Sequence, residues 1–208
     1  MKLSDFGKGL CLDALDESQT NGAKYGSLHT AYSSGGGSEV TGGSPAYARK
    51  ALTWAGASAG AKALAATLPT WDVPASTDVG WVGLWDAATS GNFLGMGPNG
   101  GTALKRFLVP SGDLSSDTLE SPAHGFANGD TVVVWFPSGG PTGLSVGTVY
   151  YVVSAATDTL KLSATSGGSA IDVTGIGSGF LQKIVVEHFA AQGTMTVSSL
   201  ALDLGAIV

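Results

Sequence analysis

The clearest alternation of apolar and polar residues lies between Tyr25 and Trp54. It begins as a strand-like run over residues 25–30, passes into a glycine- and serine-rich segment over 33–38, and resumes as a second run over 47–54. Runs of period two favour strands, and a Gly-Ser segment between two such runs favours a loop. The pattern therefore predicts a strand, a mobile loop and a second strand.

A second strong pattern is the run Val79–Trp85, in which apolar residues occupy both alternating faces. A strand of this kind is either central in a sheet or buried at an interface. Residues 92–96 follow a short turn and are predicted as its hairpin partner. Trp81 and Trp85 share one face with Gly83 between them, so two large rings are expected to pack along that face.

Short strands separated by turns rich in Gly, Pro, Asn and Asp dominate the chain after about Leu104. The predicted strands are residues 106–109, 131–136, 148–153, 159–162, 170–173 and 179–186. A last run, 194–204, is predicted as a closing strand with a bulge at Ser198-Ser199. We therefore predict a framework domain formed by residues 1–103 and 184–208, with a small all-β module, residues 104–183, inserted into it.

One helix is predicted, over residues 3–17, because apolar residues recur at helical spacing after a possible Ser4 cap. Cys11 lies in this helix and is predicted to be a small buried residue rather than a reactive thiol. Residues 55–66, rich in Ala, Gly and Ser, are compatible with a short helix or a wide loop. The predicted fold class is mainly β: a β-sandwich with one N-terminal helix and the inserted module.

Composition narrows the possible partners. Only 12% of the 208 residues are charged and the net charge is −6, whereas about 25% charged residues is usual. An acidic chain without a basic patch is a poor partner for nucleic acid or anionic membrane surfaces. A weakly charged surface instead favours contacts with copies of the same chain or with other subunits. No signal peptide or membrane-spanning run is recognised, so the protein is expected to stay in the cytosol until assembly or lysis.

Motifs of catalysis and metal binding are weak. Residues 56–60 match the G-x-S-x-G pattern and residues 95–100 match G-x-G-x-x-G, but neither lies between a strand and a helix as those sites require. The single cysteine cannot form an internal disulfide, and His29, His124 and His188 lack metal-ligand spacing. The carboxylates of the second half, Asp113, Asp117, Glu120, Asp130, Asp158 and Asp172, do not follow a calcium-loop pattern. We predict no catalytic residue, no cofactor and no metal site.

Tryptophans are the remaining candidates for a functional surface. The candidates are Trp54, Trp71, Trp81, Trp85 and Trp135, and they are predicted to lie in the core or at a subunit interface. Exposed indoles could alternatively stack on the sugar rings of a host-surface glycan.

Several sequence blocks, taken in order, resemble the small minor tail or tail-fibre proteins of tailed phages of actinobacteria. The blocks are LCLDAL at 10–15, SLHTA at 27–31, EVTGGSPAYARKALTW at 39–54, WDVPASTDVGWVGLWDAAT at 71–89 and NF at 92–93. Tyr32 departs from the pattern, which has an acidic residue before the glycine loop. Residues 124–136, HGFANGDTVVVWF, and 141–165 resemble a β module found within phage tail and fibre proteins.

The resemblance implies a virion structural protein without enzymatic activity, and it assigns no catalytic or binding residue. The expected role is a minor tail or tail-fibre component. A capsid decoration or head-fibre protein is the alternative, and a carbohydrate-binding receptor module is a further one. The implied partners are other virion proteins, copies of the chain itself and, for the last alternative, a host-surface glycan.

Overall fold

A computed structural model describes residues 11–58, 60–65, 67–136 and 139–203, and the described chain is mainly β. Residues 11–13 are helical and Leu114–Ser116 form a 3-10 helix. The strands are β1 (Tyr25–His29), β2 (Lys50–Ala51), β3 (Ala61–Ala63), β4 (Thr70–Val73), β5 (Thr77–Val79), β6 (Trp81–Trp85), β7 (Phe93–Pro98), β8 (Lys105–Val109), β9 (Leu119–Glu120), β10 (Thr131–Trp135), β11 (Val149–Val153), β12 (Thr159–Ser163), β13 (Gly177–Lys183), β14 (Glu187–Phe189), β15 (Gly193–Thr196) and β16 (Ala201–Asp203). The predicted mainly β fold class is confirmed.

The chain divides into two compact units. One contains the described residues up to Gly97 and from Val186 onward, and the other is Pro98–Val185. The predicted insertion, residues 104–183, falls inside the second unit. That it folds independently remains a prediction.

The first unit is built on a four-stranded sheet of order β2-β1-β6-β7. Three two-stranded antiparallel ladders accompany it, in which β14 pairs with β5, β15 with β4 and β16 with β3. The C-terminal strands therefore complete the first unit, as the closing run 194–204 led us to expect. That run is two strands rather than one bulged strand, because pairing moves from β4 to β3 between Thr196 and Ala201.

Apolar residues of the sheet and of the ladders share a core, as the layers of a β-sandwich do. Its buried members are Leu28, Val40, Trp71, Val73, Val79, Val82, Met195 and Val197. A second cluster contains Ala23, Leu52, Trp54 and Leu84. The apolar residues of β1 and β6 that point to this side of the sheet are thereby removed from water.

The second unit is a closed barrel of order β10-β11-β12-β9-β8-β13. Alternate residues of its strands fill the interior, among them Phe107, Leu119, Val132, Val152 and Leu181. Residues 170–173 do not form the predicted strand. Of these residues only Ala170 makes a bridge, to Ser163, and Ile171 and Val173 pack into the interior from a segment without regular secondary structure.

Several local predictions need correction. The helix predicted over 3–17 lies partly outside the described residues, and from residue 14 the chain runs in turns, where the Asp16 side chain accepts the N–H of Ser18 at 2.6 Å. Cys11 is exposed rather than buried. The run 47–54 forms only the short β2. The segment 55–66, predicted as a short helix or a wide loop, contains β3. No helix among the described residues has the length and apolar character needed to cross a membrane.

Candidate functional site

The residues singled out by the sequence meet on one face of the four-stranded sheet. β1 and β6 are antiparallel, with Ser27 opposite Gly83 and His29 opposite Trp81. Alternation therefore places Ser27, His29, Trp81, Gly83 and Trp85 on the same face, opposite the core described above. We call this surface the tryptophan face.

A buried polar pair lies between the two indoles. The Ser27 hydroxyl lies 2.7 Å from Nε2 of His29 and accepts the Trp85 indole N–H at 2.9 Å. A Cβ on Gly83 would lie 2.5 Å from both the His29 ring and the Ser27 hydroxyl. Glycine is therefore required at position 83, because only a residue without a side chain leaves room for the Ser27–His29 pair.

Residues 31–37, which we call the covering loop, fold back over the tryptophan face. The Ser33 hydroxyl accepts the N–H groups of Gly35 and Gly37. Gly36 is buried with φ +77°, and a Cβ there would lie 2.5 Å from the Trp85 ring and 2.8 Å from Phe93. Gly36 therefore allows the backbone to lie against these two rings, so the segment predicted as a mobile loop is packed on the tryptophan face at this residue.

Arg49 fixes the edge of this cover. Its guanidinium carbon lies 3.4 Å from the centroid of the Trp85 ring, and Nε and Nη2 donate to the Glu39 carboxylate at 2.8 to 3.2 Å. Nη1 donates to the carbonyl oxygens of Ala87 and Ser90. Arg49 thus joins the segment after the covering loop, the turn between β6 and β7, and the indole in one arrangement, which we call the arginine clasp.

Tyr47 completes the arginine clasp. Its hydroxyl accepts the Leu28 N–H at 2.7 Å and donates to Glu39 at 3.4 Å. Burial raises the pKa of Tyr47, so its hydroxyl stays protonated and can donate. A cleft of about 350 Å³ lies beside the clasp and is lined by residues 39–42, 47–49 and 88–90.

Electrostatics keep His29 neutral. Burial lowers the pKa of His29 because a charged imidazole is poorly solvated there, and the positive charge of Arg49 acts in the same direction. The hydrogen bond to the Gly37 carbonyl and the charge of Glu39 oppose that shift without overcoming it.

Four of the five candidate tryptophans are buried: Trp71 is 0% exposed, Trp81 1%, Trp54 6% and Trp85 8%. Trp135, on β10 of the barrel unit, is partly exposed, and its indole N–H donates to Gln182. Trp81 and Trp85 lie on the tryptophan face, whereas Trp54 and Trp71 lie in the two core clusters. The indole N–H of Trp54 donates to Ala23 and that of Trp71 to Gly26. None of the four offers a free ring surface for stacking on a sugar.

The HGFANGD segment forms a structural corner of the barrel unit. Nδ1 of His124 accepts the Phe126 N–H at 2.9 Å, and the two rings stack. The side chain of Asn128 accepts the Ala155 N–H, and Asp130 pairs with Lys183 at 2.7 Å. A cleft of about 650 Å³ adjoins this corner, lined mainly by small residues within 123–128 and 155–157.

The remaining motifs have local structural roles. Ser58 of the G-x-S-x-G match pairs with Ala61 through two backbone hydrogen bonds. Among the carboxylates, Asp117 accepts the Val173 N–H and Asp158 accepts the Ala123 N–H. The described part of the chain contains no group of three or more metal-ligating side chains. Ser27 and His29 resemble a nucleophile and base, but Ser27 is 0% exposed, so no substrate can reach its hydroxyl.

Sequence reasoning did not assign roles to Ser27, Glu39 and Arg49, and it treated His29 as a structural histidine without naming its partners. A signal was available in the sequence. Ser27 and His29 are two positions apart in β1, and Trp81, Gly83 and Trp85 are two positions apart in β6, so pairing of the two strands places all five on one face. The contact between Glu39 and Arg49 carried no comparable signal, because it depends on the path of the loop that joins them.

Comparison with known proteins supports one family. Residues 11–102 match the family model described as podophage GP4 fiber I protein gp80. The matched stretch, somewhat less than half of the chain, contains the tryptophan face, the covering loop and the arginine clasp. No curated protein and no solved structure matches the chain. The match supports a phage fibre protein family for this stretch, and it does not support the more specific resemblance to minor tail proteins of actinobacteriophages.

Proposed function

We propose that this protein is a non-enzymatic structural component of a tailed phage virion, with a minor tail or tail-fibre role. The observation that carries the proposal is the fibre-family match over residues 11–102. It agrees in kind with the resemblance of the SLHTA and EVTGGSPAYAR blocks to minor tail proteins.

The use of polar groups in the first unit supports a structural role. Glu39, Tyr47 and Arg49 come from one resembling block and bind one another, while Ser27 and His29 come from the other and form a buried pair. These side chains use their hydrogen-bonding capacity within the fold. Such an arrangement stabilises a scaffold and offers no reactive group to a substrate.

Copies of the same chain and other virion proteins are the proposed partners. β7 is an edge of the four-stranded sheet, has six residues and carries no charged side chain. The opposite edge, β2, has two residues, and its Lys50 pairs with Asp72 at 3.6 Å. Natural proteins protect long exposed edges with charge, so the neutral β7 edge favours pairing with a second copy.

The two alternatives differ in support. A capsid decoration or head-fibre role is compatible with the same family match, since fibres occur on heads and tails. A glycan-binding role receives less support, because four of the five candidate tryptophans are buried and only Trp135, in the barrel unit, is partly exposed. The surface of the barrel unit, Pro98–Val185, would then have to provide the glycan site.

Localisation on purified virions tests the proposal. Mass spectrometry of gradient-purified particles should detect the protein, and antibody labelling under the electron microscope should mark the tail. Labelling of the head would favour the decoration alternative. A protein made during infection but absent from purified particles would overturn the structural role.

A further inference from the structure

His29 is the one titratable side chain that contacts both the covering loop and the tryptophan face among the described residues of β1. It is 0% exposed. Nδ1 lies 2.8 Å from the Gly37 carbonyl oxygen, and Nε2 lies 2.7 Å from the Ser27 hydroxyl. Its ring also makes an edge contact with Phe93. One imidazole therefore joins the loop backbone to the sheet.

The chemistry of the partners fixes where each proton lies. A carbonyl oxygen can only accept, so Nδ1 of His29 carries hydrogen and donates to Gly37. An indole N–H can only donate, so Ser27 accepts from Trp85 and gives its own hydrogen to Nε2 of His29. The three hydrogen bonds therefore have one donor-to-acceptor direction, from Trp85 to Ser27, from Ser27 to His29 and from His29 to Gly37. This arrangement requires the neutral imidazole.

We propose that His29 is a proton-sensitive latch: its neutral form holds the covering loop on the tryptophan face, and its protonation releases the loop and uncovers Trp85. The inference concerns residues 27–37 and 81–85 and does not depend on where the protein sits in a virion.

Protonation of His29 breaks this series of hydrogen bonds at Ser27. With His29 charged, Nε2 becomes a donor, so both His29 and Trp85 donate to the Ser27 hydroxyl and its hydrogen loses the acceptor that neutral His29 provided. Ser27 is 0% exposed and lies opposite Gly83 in the β1–β6 pairing, so water cannot supply a replacement acceptor. A buried polar hydrogen without an acceptor is costly, and a buried charge adds to that cost.

The charged groups around His29 do not remove this cost. Glu39 faces it across the bridge between positions 29 and 39 and would favour the charged form. Its carboxylate, however, is already engaged by three contacts from Arg49. Arg49 itself disfavours a second positive charge. Tyr47 stays neutral and hydrogen-bonds Glu39.

The direction of the pH effect follows from proton binding. The closed form binds the proton less tightly than an open form, in which His29 has its ordinary pKa of about 6.5. Acid therefore favours opening. Because one proton is involved, the opening constant should rise up to tenfold for each pH unit below about 6.5, until the closed form also protonates.

Nuclear magnetic resonance on the full-length protein tests the latch. The measurements are the ring carbon shifts of His29 and the hydrogen-exchange protection factors of the Gly37 and Thr30 amides, from pH 8 to pH 4.5. We expect the Gly37 and Thr30 protection factors to fall up to tenfold per pH unit below about 6.5. The Gly129 amide, bonded to Val152 in the barrel unit, should keep its protection factor.

Two variants sharpen the result. His29→Asn should make loop protection low and independent of pH, whereas His188→Gln, on the 64% exposed side chain that pairs with Asp78, should leave the acid response unchanged. If His29→Asn does not fold, the wild-type titration decides alone. Loop protection that stays constant through the His29 titration, or an acid response that persists in His29→Asn, would overturn the latch.

Discussion

Asn99 and Val185 hydrogen-bond to each other where the chain enters and leaves the barrel unit. The Val185 N–H donates to the Asn99 carbonyl oxygen at 2.8 Å, and the Asn99 side-chain amide donates to the Val185 carbonyl oxygen at 3.0 Å. The two ends of the barrel unit, which contains the predicted insertion 104–183, are therefore adjacent, an arrangement typical of a module inserted into a host domain.

Removal of the insertion should leave a folded framework. Replacing residues 100–184 by a four-residue Gly-Ser linker joins two points that are already hydrogen-bonded, and a short loop costs little closure entropy. We expect a soluble protein with a β-type circular dichroism spectrum and a cooperative thermal transition. Residues 98–185 expressed alone should fold as well. An insoluble or unfolded deletion protein would mean that the barrel strands are needed by the framework.

Gly83→Ala tests the packing of the polar pair. A methyl group 2.5 Å from the His29 ring and the Ser27 hydroxyl must displace one of them, so we expect a loss of about 1 to 3 kcal/mol in the free energy of unfolding in urea. Gly97→Ala on β7 is the matched control, because nothing lies within 4 Å of its added Cβ. Its effect should stay within about 0.5 kcal/mol. Equal effects of the two substitutions would contradict the close packing around Gly83.

Trp85 should contribute to stability through its ring more than through its hydrogen bond. Trp85→Ala removes a buried indole beneath Arg49 and should cost about 3 to 5 kcal/mol. Trp85→Phe keeps a ring and loses the donor to Ser27, so about 1 kcal/mol is expected from the hydrogen bond. Urea denaturation measures both. Unchanged melting together with lost adsorption to host cells would instead indicate a glycan-binding role for this residue.

The sequence predicted the strands whose partners lie nearby or whose pattern is strong. β1, β6 and β7 follow from period-two runs, and most barrel strands follow from short apolar runs between turns. The pairing of β3 with β16 was not predicted, because it joins residues about 140 positions apart in weakly patterned segments. The covering loop was predicted to be mobile, because a glycine run in which one residue packs on an indole, as Gly36 does on Trp85, has the same composition as a flexible one.

That covering loop also changes the reason for expecting oligomers. β6 is apolar on both faces because one face meets the core and the other meets residues 31–37, so it need not be an interface. The neutral edge β7 is the better candidate. Leu94, which is 37% exposed on β7, should tolerate Leu94→Lys in the fold but lose self-association in sedimentation experiments. Leu15→Lys, at 39% exposure, is the control, and a wild-type protein that is monomeric at high micromolar concentration would refute the idea.

Lys62 offers a test of how a buried charge is held in a chain with few charges. Its side chain is 2% exposed and contacts Asp13 at 2.9 Å and Asp16 at 3.1 Å. Burial alone would lower the pKa of Lys62, but the hydrogen bonds and charges of the two carboxylates raise it above its ordinary value. Lys62 is therefore charged. Its buried ammonium is compensated by two carboxylates that are more exposed than the lysine itself.

This difference in exposure predicts a large loss of stability when the carboxylates are removed and a small one when the lysine is removed. Asp13→Ala combined with Asp16→Ala leaves a buried ammonium unpaired and should cost about 3 kcal/mol, the low end for such a loss because lysine can shed its proton. Lys62→Met keeps the side-chain volume and leaves two carboxylates that water can reach, so a change of less than about 1 kcal/mol is expected. Denaturation in urea at pH 7 measures both. If Lys62→Met costs as much as the double substitution, the ion pair itself stabilises the fold, and the argument from burial fails.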